Sequence, residues 1–320
     1  MPLKPPSFGS QDYWNDRFTS NANPFEWLEA PDALDPFLVA ALNDAEDPHP
    51  QILHIGCGTS LLSYHLRAHV QQPEQVHNLD YSQVAVEIGR DREPDLLRDD
   101  DIEGNSQTEW AEKSKPKMRW SAANLLDHSS LLGSCEPSTY SVIVDKSTAD
   151  CIACSDDVYI PLPYHIAMTS RTFKAPKTTT SSEPIHPLHI LAVHLAYVAK
   201  PGARWIACSY SMDRFPFLRT DEPECIPGVS VSAADKSQNE AGDEHLEDDM
   251  ELQADLDDIP CSIINGGFPD PSTLWQLYGK YEIEPPSAQT SDDHGIVHRP
   301  RILHWVYILE RTDVQLHARS

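Results

Sequence analysis

Two glycines follow the first predicted strand of this chain, in the segment Gly56-Cys57-Gly58. Glycine carries no side chain, so the backbone of this turn can approach a ligand closely. A helix that starts near Thr59 would direct its unpaired N–H groups at a carboxylate or a ribose. A dinucleotide site needs a third glycine at the sixth position, where this chain has Leu61. The turn therefore favours a smaller nucleoside ligand, and a tight turn that binds no ligand is the alternative.

Polar residues also follow the second and third predicted strands. Asp80 ends the second strand, where an acidic side chain can accept hydrogen bonds from both hydroxyls of a ribose. Asp80 and its neighbour Tyr81 are therefore candidate ligand-binding residues, and a cap on the following helix is the alternative for Asp80. Asn124 follows the third strand, where its side chain can bind an adenine beside the backbone N–H of Leu125. For Asn124 a turn or a cap is the alternative.

The fourth predicted strand leads into the loop Asp145–Asp150. In open α/β sheets ligands bind at the carboxyl ends of the strands, so this loop should face the reacting group. Asp145 and Lys146 are therefore candidate catalytic residues, and Asp145 is also a candidate ligand-binding residue. An ordinary ion pair between Lys146 and Asp150 is the alternative.

An aromatic and charged cluster precedes the first predicted strand. Arg17 can bind a ligand carboxylate through two parallel hydrogen bonds. Trp14 and Trp27 can stack on a cationic group. Aromatic residues that only pack onto the domain are the alternative interpretation.

A sheet is needed to position these residues, and five segments are predicted as its strands. Helical segments alternate with them, which predicts a parallel sheet with right-handed crossovers. The predicted strands are Gln51–Ile55, Gln75–Leu79, Met118–Ala122, Tyr140–Val144 and Arg204–Ser209. The predicted helices are Leu61–Ala68, Gln83–Arg90 and His186–Ala199.

The C-terminal part adds a predicted helix over Ser272–Tyr278 and two strands, Tyr281–Ile283 and Ile302–Leu309, as an antiparallel pair at the sheet edge. The prediction is a Rossmann-like α/β fold: seven strands, mostly parallel, with helices on both faces, in one domain over residues 1–320. Three polar or acidic segments are predicted as surface insertions, mobile in part: 91–116, 169–184 and 218–258.

The charge of the chain excludes several classes of partner. Its 24 Lys and Arg against 50 Asp and Glu give a net charge of -26. That balance opposes binding to nucleic acid or to an anionic membrane, and permits a basic protein partner. The seven cysteines include one CxxC, Cys151 and Cys154, without a second pair, so free thiols and no metal site are predicted. The N-terminus lacks an apolar signal segment, so we expect a cytoplasmic protein, and the oligomeric state stays open.

Taken together, these motifs resemble the class I, seven-β-strand S-adenosylmethionine (SAM)-dependent methyltransferases. Within them the chain is most similar to the methyltransferase-like 13 group, which includes lysine methyltransferases of translation elongation factor 1A. The resemblance covers roughly residues 11–210. It is carried by Tyr13-Trp14, Arg17-Phe18, Phe25-Glu26-Trp27, Gly56-Cys57-Gly58, Leu79-Asp80-Tyr81-Ser82 and Asp145–Asp150.

The resemblance implies SAM as the cofactor and a lysine of a protein, such as a translation elongation factor, as the acceptor. It implies that Trp14 and Arg17 close over the methionine end of SAM. The residues implied to bind the rest of SAM are Gly56, Cys57, Gly58, Asp80, Tyr81, Asn124, Leu125 and Asp145. Trp27 and the Asp145–Asp150 loop are the candidates for an acceptor pocket.

The chain departs from the family pattern in four places. Ser147 and Ala149 stand where the family has Gly and Leu, Thr59 where it has Asn, and Asn124 where it has Asp. Two of these changes lie in the acceptor loop, so the chain departs from the family where the substrate would bind. A small-molecule methyltransferase and a non-catalytic interaction module on the same fold are the alternatives.

Overall fold

The computed structural model describes residues 6–96, 117–168, 178–218, 259–283 and 303–319. Seven strands form one sheet in the order β3-β2-β1-β4-β5-β7-β6. They are β1 (Ile52–Ile55), β2 (Val76–Asp80), β3 (Arg119–Ala122), β4 (Tyr140–Lys146), β5 (Ala199–Ser209), β6 (Trp275–Ile283) and β7 (His304–Arg311). All pairs from β3 to β5 are parallel, and β7 runs antiparallel to both β5 and β6. The predicted Rossmann-like fold with an antiparallel C-terminal pair is confirmed.

Helices connect the strands and cover the sheet. They are α1 (Gln11–Ser20), α2 (Asp35–Asp44), α3 (Leu62–Arg67), α4 (Gln83–Leu96), α5 (His128–Leu132), α6 (Thr148–Ile152), α7 (Pro187–Val198), α8 (Cys261–Asn265) and α9 (Pro271–Leu274). Every residue of α7 is buried, as its continuous apolar sequence predicts.

The strands separate two apolar cores, because successive side chains of a strand point to opposite faces. Leu53 and Ile55 of β1 lie in one core, together with most of α7. Ile52 of the same strand lies in the other, with side chains of α2, α3 and α4. The carboxyl ends of β1, β2 and β4 are thereby held between two packed layers.

The helix predicted over Ser272–Tyr278 is wrong. Only the single turn of α9 forms, and β6 starts at Trp275. The Trp275 indole is buried against Trp205, with ring centroids 5.4 Å apart, and its Nε1 donates to the Ala192 carbonyl at 2.8 Å. These contacts with β5 and α7 outweigh the local helical pattern.

Two predicted insertion boundaries also change. α4 continues to Leu96. Its buried Glu93 accepts from the Met118 N–H at 2.8 Å and from Trp120 Nε1 at 3.0 Å. The first insertion therefore does not start at Asp91. In the second segment, Thr179–Thr180 pairs with Pro161–Leu162. Residues 97–116, 169–177 and 219–258 lie outside the described residues. Within the described part of the chain, no helix has the length and apolar character needed to cross a membrane.

Candidate functional site

A cleft of about 1050 Å³, including space open to solvent, lies at the carboxyl ends of β1, β2, β3 and β4. Strand order brings the separate motifs of the sequence to this one edge. The predicted site residues that line it are Trp14, Trp27, Gly56, Cys57, Gly58, Asp80, Tyr81, Asn124, Leu125 and Lys146. Arg17 and Asp145 do not line the cleft.

The turn after β1 requires its glycines for conformational and steric reasons. Gly56 and Gly58 have φ values of +59° and +50°, in the left-handed region that glycine adopts at little cost. A Cβ on Gly56 would lie 2.0 Å from Thr148 Oγ1, whereas one on Gly58 would lie 3.3 Å from the Phe18 ring. Cys57 between them is buried, and burial raises the pKa of its thiol, so it packs as a small thiol.

Asp80 joins the end of β2 to this turn. Its carboxylate accepts from the Gly58 N–H at 2.7 Å and from the Ser82 N–H at 2.7 Å. Burial raises the pKa of Asp80 to about 6. The Ser82 N–H precedes α4, so this contact forms a local turn at the strand end and not the helix cap of the alternative. The turn does not exclude a ligand, because each carboxylate oxygen can accept a second hydrogen bond. Ribose hydroxyls would stabilise the ionised form.

Asn124 and Leu125 follow β3 and form the next part of the wall. Asn124 Oδ1 accepts from the Leu126 N–H at 2.9 Å, which is the turn role held open as the alternative. His194 Nδ1 lies 2.7 Å from the Leu125 carbonyl oxygen, and its Nε2 lies 2.7 Å from Tyr164 Oη. Since a carbonyl only accepts, Nδ1 carries the proton and Nε2 accepts from Tyr164. This buried histidine fixes the loop and was not identified from the sequence.

The N-terminal aromatic residues cover the cleft from one side. Trp14 stacks on Phe18 with ring centroids 5.6 Å apart, and its Nε1 donates to the Phe8 carbonyl at 2.7 Å. Arg17 instead lies over the Phe25 ring, with its guanidinium carbon 4.4 Å from the ring centroid. Arg17 therefore packs on an aromatic residue of the cleft without lining the cleft itself, and its contact with a ligand stays a prediction.

Lys146, a predicted catalytic residue, lies in an ion pair that closes the wall. Its ammonium group contacts the Glu26 carboxylate and donates to the Glu29 carbonyl at 2.9 Å. Glu26 also accepts from Ser60 Oγ at 2.7 Å and from the Leu61 N–H at 2.6 Å, at the start of α3. Lys146 thus fastens the N-terminal segment to the glycine turn. It also lines the cleft, and its catalytic role stays a prediction.

Asp145 and Asp150 lie behind the cleft and not in its wall. Asp145 is fully buried and accepts from the Thr148 N–H at 2.8 Å, capping α6. Burial, together with the nearby Asp150, raises the pKa of Asp145 to about 7. Asp150 pairs with Arg214, at 2.7 Å, so the Lys146–Asp150 ion pair considered above is wrong. Asp145 supports the loop from outside the cleft lining, and its roles in catalysis and ligand binding stay predictions.

Ser147 lines the cleft within the loop predicted to face the acceptor, although the sequence did not single it out as a binding residue. It has φ +68°, its side chain is buried, and its Oγ has no hydrogen-bond partner among the described residues. An unpaired buried hydroxyl and a left-handed non-glycine residue are both costly, and such costs concentrate at functional sites. The signal in the sequence was a serine where the similar family has glycine.

The sequence matches no protein-family model. The chain is similar to a fungal methyltransferase. Over 152 residues it is 33% identical to methyltransferase srdJ of Neurospora crassa, and the match covers 48% of this chain and 57% of that protein. The chain thus matches little more than half the length of this relative.

Solved structures show more distant likeness. Geranyl diphosphate C-methyltransferase of Streptomyces coelicolor is 12% identical, with a TM-score of 0.44 and coverage of 97% of this chain and 98% of that one. Magnesium protoporphyrin IX methyltransferase of Synechocystis is 12% identical, with a TM-score of 0.41 and coverage of 98% and 100%. Likeness at this level does not identify a reaction or a substrate.

Proposed function

We propose that the protein is a SAM-dependent methyltransferase. The observation that carries the proposal is the convergence of the Gly56–Gly58 turn, Asp80 and the Asn124–Leu125 loop on one cleft at the carboxyl edge of the sheet. This set provides backbone N–H groups, one carboxylate and one amide within a single wall. The similarity to a fungal methyltransferase supports the same conclusion.

The donor and acceptor groups of the wall fit SAM part by part. Asp80 can accept from the ribose hydroxyls, and the Asn124 amide and the Leu125 N–H can bind the adenine. The turn leaves backbone close to the ligand because Gly56 and Gly58 carry no Cβ. Ser147 also lines the cleft, and its buried Oγ has no hydrogen-bond partner among the described residues, so we propose that it binds the methionine end or the acceptor. Bound there, SAM would supply an electrophilic methyl group.

The protein's own residues would then align the acceptor and exclude water, which an in-line displacement requires. Trp14, Phe18 and Trp27 provide an apolar cover over the cleft. His54 also lines the cleft, but burial lowers its pKa to about 3, which makes it a poor base near neutral pH. We therefore assign no general base, and an amine acceptor would lose its proton through desolvation.

For the acceptor we propose a lysine of a basic protein, such as a translation elongation factor, which places the enzyme in the cytoplasm. Two features support this choice over a small molecule. Trp14, Phe25 and Trp27 line the cleft, and aromatic faces attract a cationic amine or sulfonium group. The net charge of -26 favours encounter with a positively charged protein.

Cofactor binding is tested by calorimetry with SAM and its demethylated product. Asp80→Asn should lower SAM affinity by about 1.5–3 kcal/mol, because a charged hydrogen-bond acceptor is lost. Asp127→Asn is the matched control, since Asp127 caps α5 outside the cleft and should leave affinity unchanged. Undetectable SAM binding by the folded parent would contradict the proposal and favour a non-catalytic interaction module.

The acceptor is tested by incubating the protein with methyl-labelled SAM and host extract. Label in the protein fraction, and then in purified elongation factor 1A, is the expected result. Peptide mass spectrometry should locate the label on lysine. Label confined to the small-molecule fraction would overturn the lysine acceptor and leave the SAM-dependent activity standing.

A further inference from the structure

Three side chains that could hold a metal converge on the outer side of α3, away from the cleft. Asp35 is the first residue of α2, His65 lies in α3, and His69 follows one turn later. Asp35 Oδ1 lies 2.5 Å from His65 Nε2 and 3.2 Å from His69 Nε2. The two Nε2 atoms are 3.4 Å apart. A carboxylate oxygen and two imidazole nitrogens thus face a common point.

Those separations are close to the edges of a tetrahedral metal site. With metal–ligand bonds of about 2.0–2.1 Å, neighbouring ligand atoms lie about 3.3 Å apart. The His65–His69 and His69–Asp35 separations already match this value, and only the His65–Asp35 contact has to lengthen. A hydrogen bond from His65 to Asp35 accounts for the shortest contact, but it does not account for His69 facing both atoms.

The ligand types select the class of metal. Two imidazoles and one carboxylate suit zinc and similar transition metals, whereas calcium and magnesium prefer oxygen ligands alone. His69 lies in the turn just beyond α3, four residues after His65, and a four-residue spacing of histidines recurs among zinc ligands. The side chains are 19–35% exposed, so an ion can enter from solvent and keep a water in the fourth position.

We propose that Asp35, His65 and His69 form a site for zinc or a similar divalent transition metal. The ion would join the start of α2 to the helix that follows the glycine turn, and would stabilise the attachment of the N-terminal part to the sheet. None of the three residues lines the cleft, so the site stands or falls independently of SAM binding.

The test is calorimetric titration of the metal-free, reduced protein with zinc, and with magnesium as a comparison. One zinc per chain should bind and raise the thermal midpoint, whereas magnesium should change neither signal. Removing even an outer partner of a ligand weakens metal sites about 10–100-fold, so His69→Gln and Asp35→Asn should each weaken zinc binding by more than about 100-fold. Cobalt should give the visible absorption bands of a tetrahedral site in the parent but not in His69→Gln.

Two control variants separate this site from other zinc ligands of the chain. His49→Ala removes an exposed histidine, and Cys154→Ser removes an exposed thiol of the CxxC pair. Both should bind zinc as the parent does. Zinc binding that persists in folded His69→Gln, that is lost in Cys154→Ser, or that is absent from the parent would overturn the proposal. Near-ultraviolet circular dichroism of each metal-free variant checks that it is folded.

Discussion

The two walls of the cleft are built in different ways. On the wall formed by the glycine turn, Gly58 N–H binds a carboxylate only 22 residues away, at the end of the neighbouring strand. On a second wall, Lys146 contacts Glu26 across 120 residues. Glu29, whose carbonyl accepts from Lys146, lies outside the cleft lining, and its carboxylate is 2.6 Å from His304 Nδ1 across 275 residues. The first wall follows from strand register, whereas the second depends on side chains that meet only in the folded chain.

The two walls are expected to be sensitive to different kinds of substitution. The turn wall tolerates little volume, because backbone and a neighbouring loop are packed together. The N-terminal wall is fastened by a small number of polar contacts, including Thr59 Oγ1 to the Asn23 carbonyl at 3.0 Å and Arg92 to the Ala22 carbonyl at 2.5 Å. We therefore expect added side-chain volume to destabilise the turn wall, and the loss of a charged partner to destabilise the N-terminal wall.

The largest effect should come from Gly56→Ala, on the turn wall. The new Cβ would meet Thr148 Oγ1 at 2.0 Å, at φ +59°, so left-handed strain and overpacking should together cost about 2–5 kcal/mol. Gly202→Ala is the matched control, since Gly202 has φ +77° with nothing within 4 Å, and should cost only about 1–2 kcal/mol. Urea denaturation measures both, and equal losses would refute the steric argument.

Glu26→Gln should destabilise the N-terminal wall, because it leaves the buried Lys146 ammonium without its carboxylate partner. The loss of unfolding free energy should reach about 3 kcal/mol, below the full range for buried pairs because Glu26 is 26% exposed. Lys146→Met in the same chain should recover part of that loss. Lys200→Met, in the more exposed pair with Asp47, should cost less than about 1 kcal/mol. A double-mutant cycle without coupling between Glu26 and Lys146 would contradict this account.

A pH-dependent effect should come from Asp145, which lies outside the cleft lining. Burial raises its pKa from 3.8 to about 7, so between about pH 4 and 7 the folded protein binds a proton that the unfolded chain releases. This group therefore lowers stability as pH rises through that window. In Asp145→Asn, which can still cap α6, the gain in unfolding free energy over the parent should grow from pH 4 to 7 and then level off. A gain that does not vary with pH would count against a raised pKa.

The smallest effect should come from Ser147, where the two walls meet. Ser147→Gly should stabilise the protein by about 1 kcal/mol, because it relieves the left-handed strain at φ +68°. Ser147→Ala keeps that strain and removes only the hydroxyl. If Ser147 Oγ contacts the ligand, both variants should weaken binding of SAM or of the acceptor, whereas only glycine should raise stability. Unchanged binding and turnover in both would show that the hydroxyl is not used.

The turn wall was predictable because its information is local. Three strand ends followed by Gly56-Cys57-Gly58, Asp80 and Asn124 meet at one edge once a parallel sheet is assumed, and the structure places all of them in the cleft. The packing of Arg17 on Phe25 and the cap that Asp145 provides to α6 were not predicted. The partner of Lys146 was not predicted either, because Glu26 lies 120 residues away in sequence. The helix predicted at Ser272 failed for the same reason, since Trp275 is placed by β5 and α7.

Three features could be predicted from the sequence alone: the alternation of strands and helices, the glycine turn with Asp80 near it, and a turn that lacks the third glycine of a dinucleotide site. Those features depend on short apolar runs and on residues adjacent to strand ends. The folded structure pairs Lys146 with Glu26, leaves the buried Ser147 Oγ without a hydrogen-bond partner among the described residues, and brings Asp35 to His65 and His69. Each of these depends on distances between segments that no local pattern encodes, because packing of the two cores sets them.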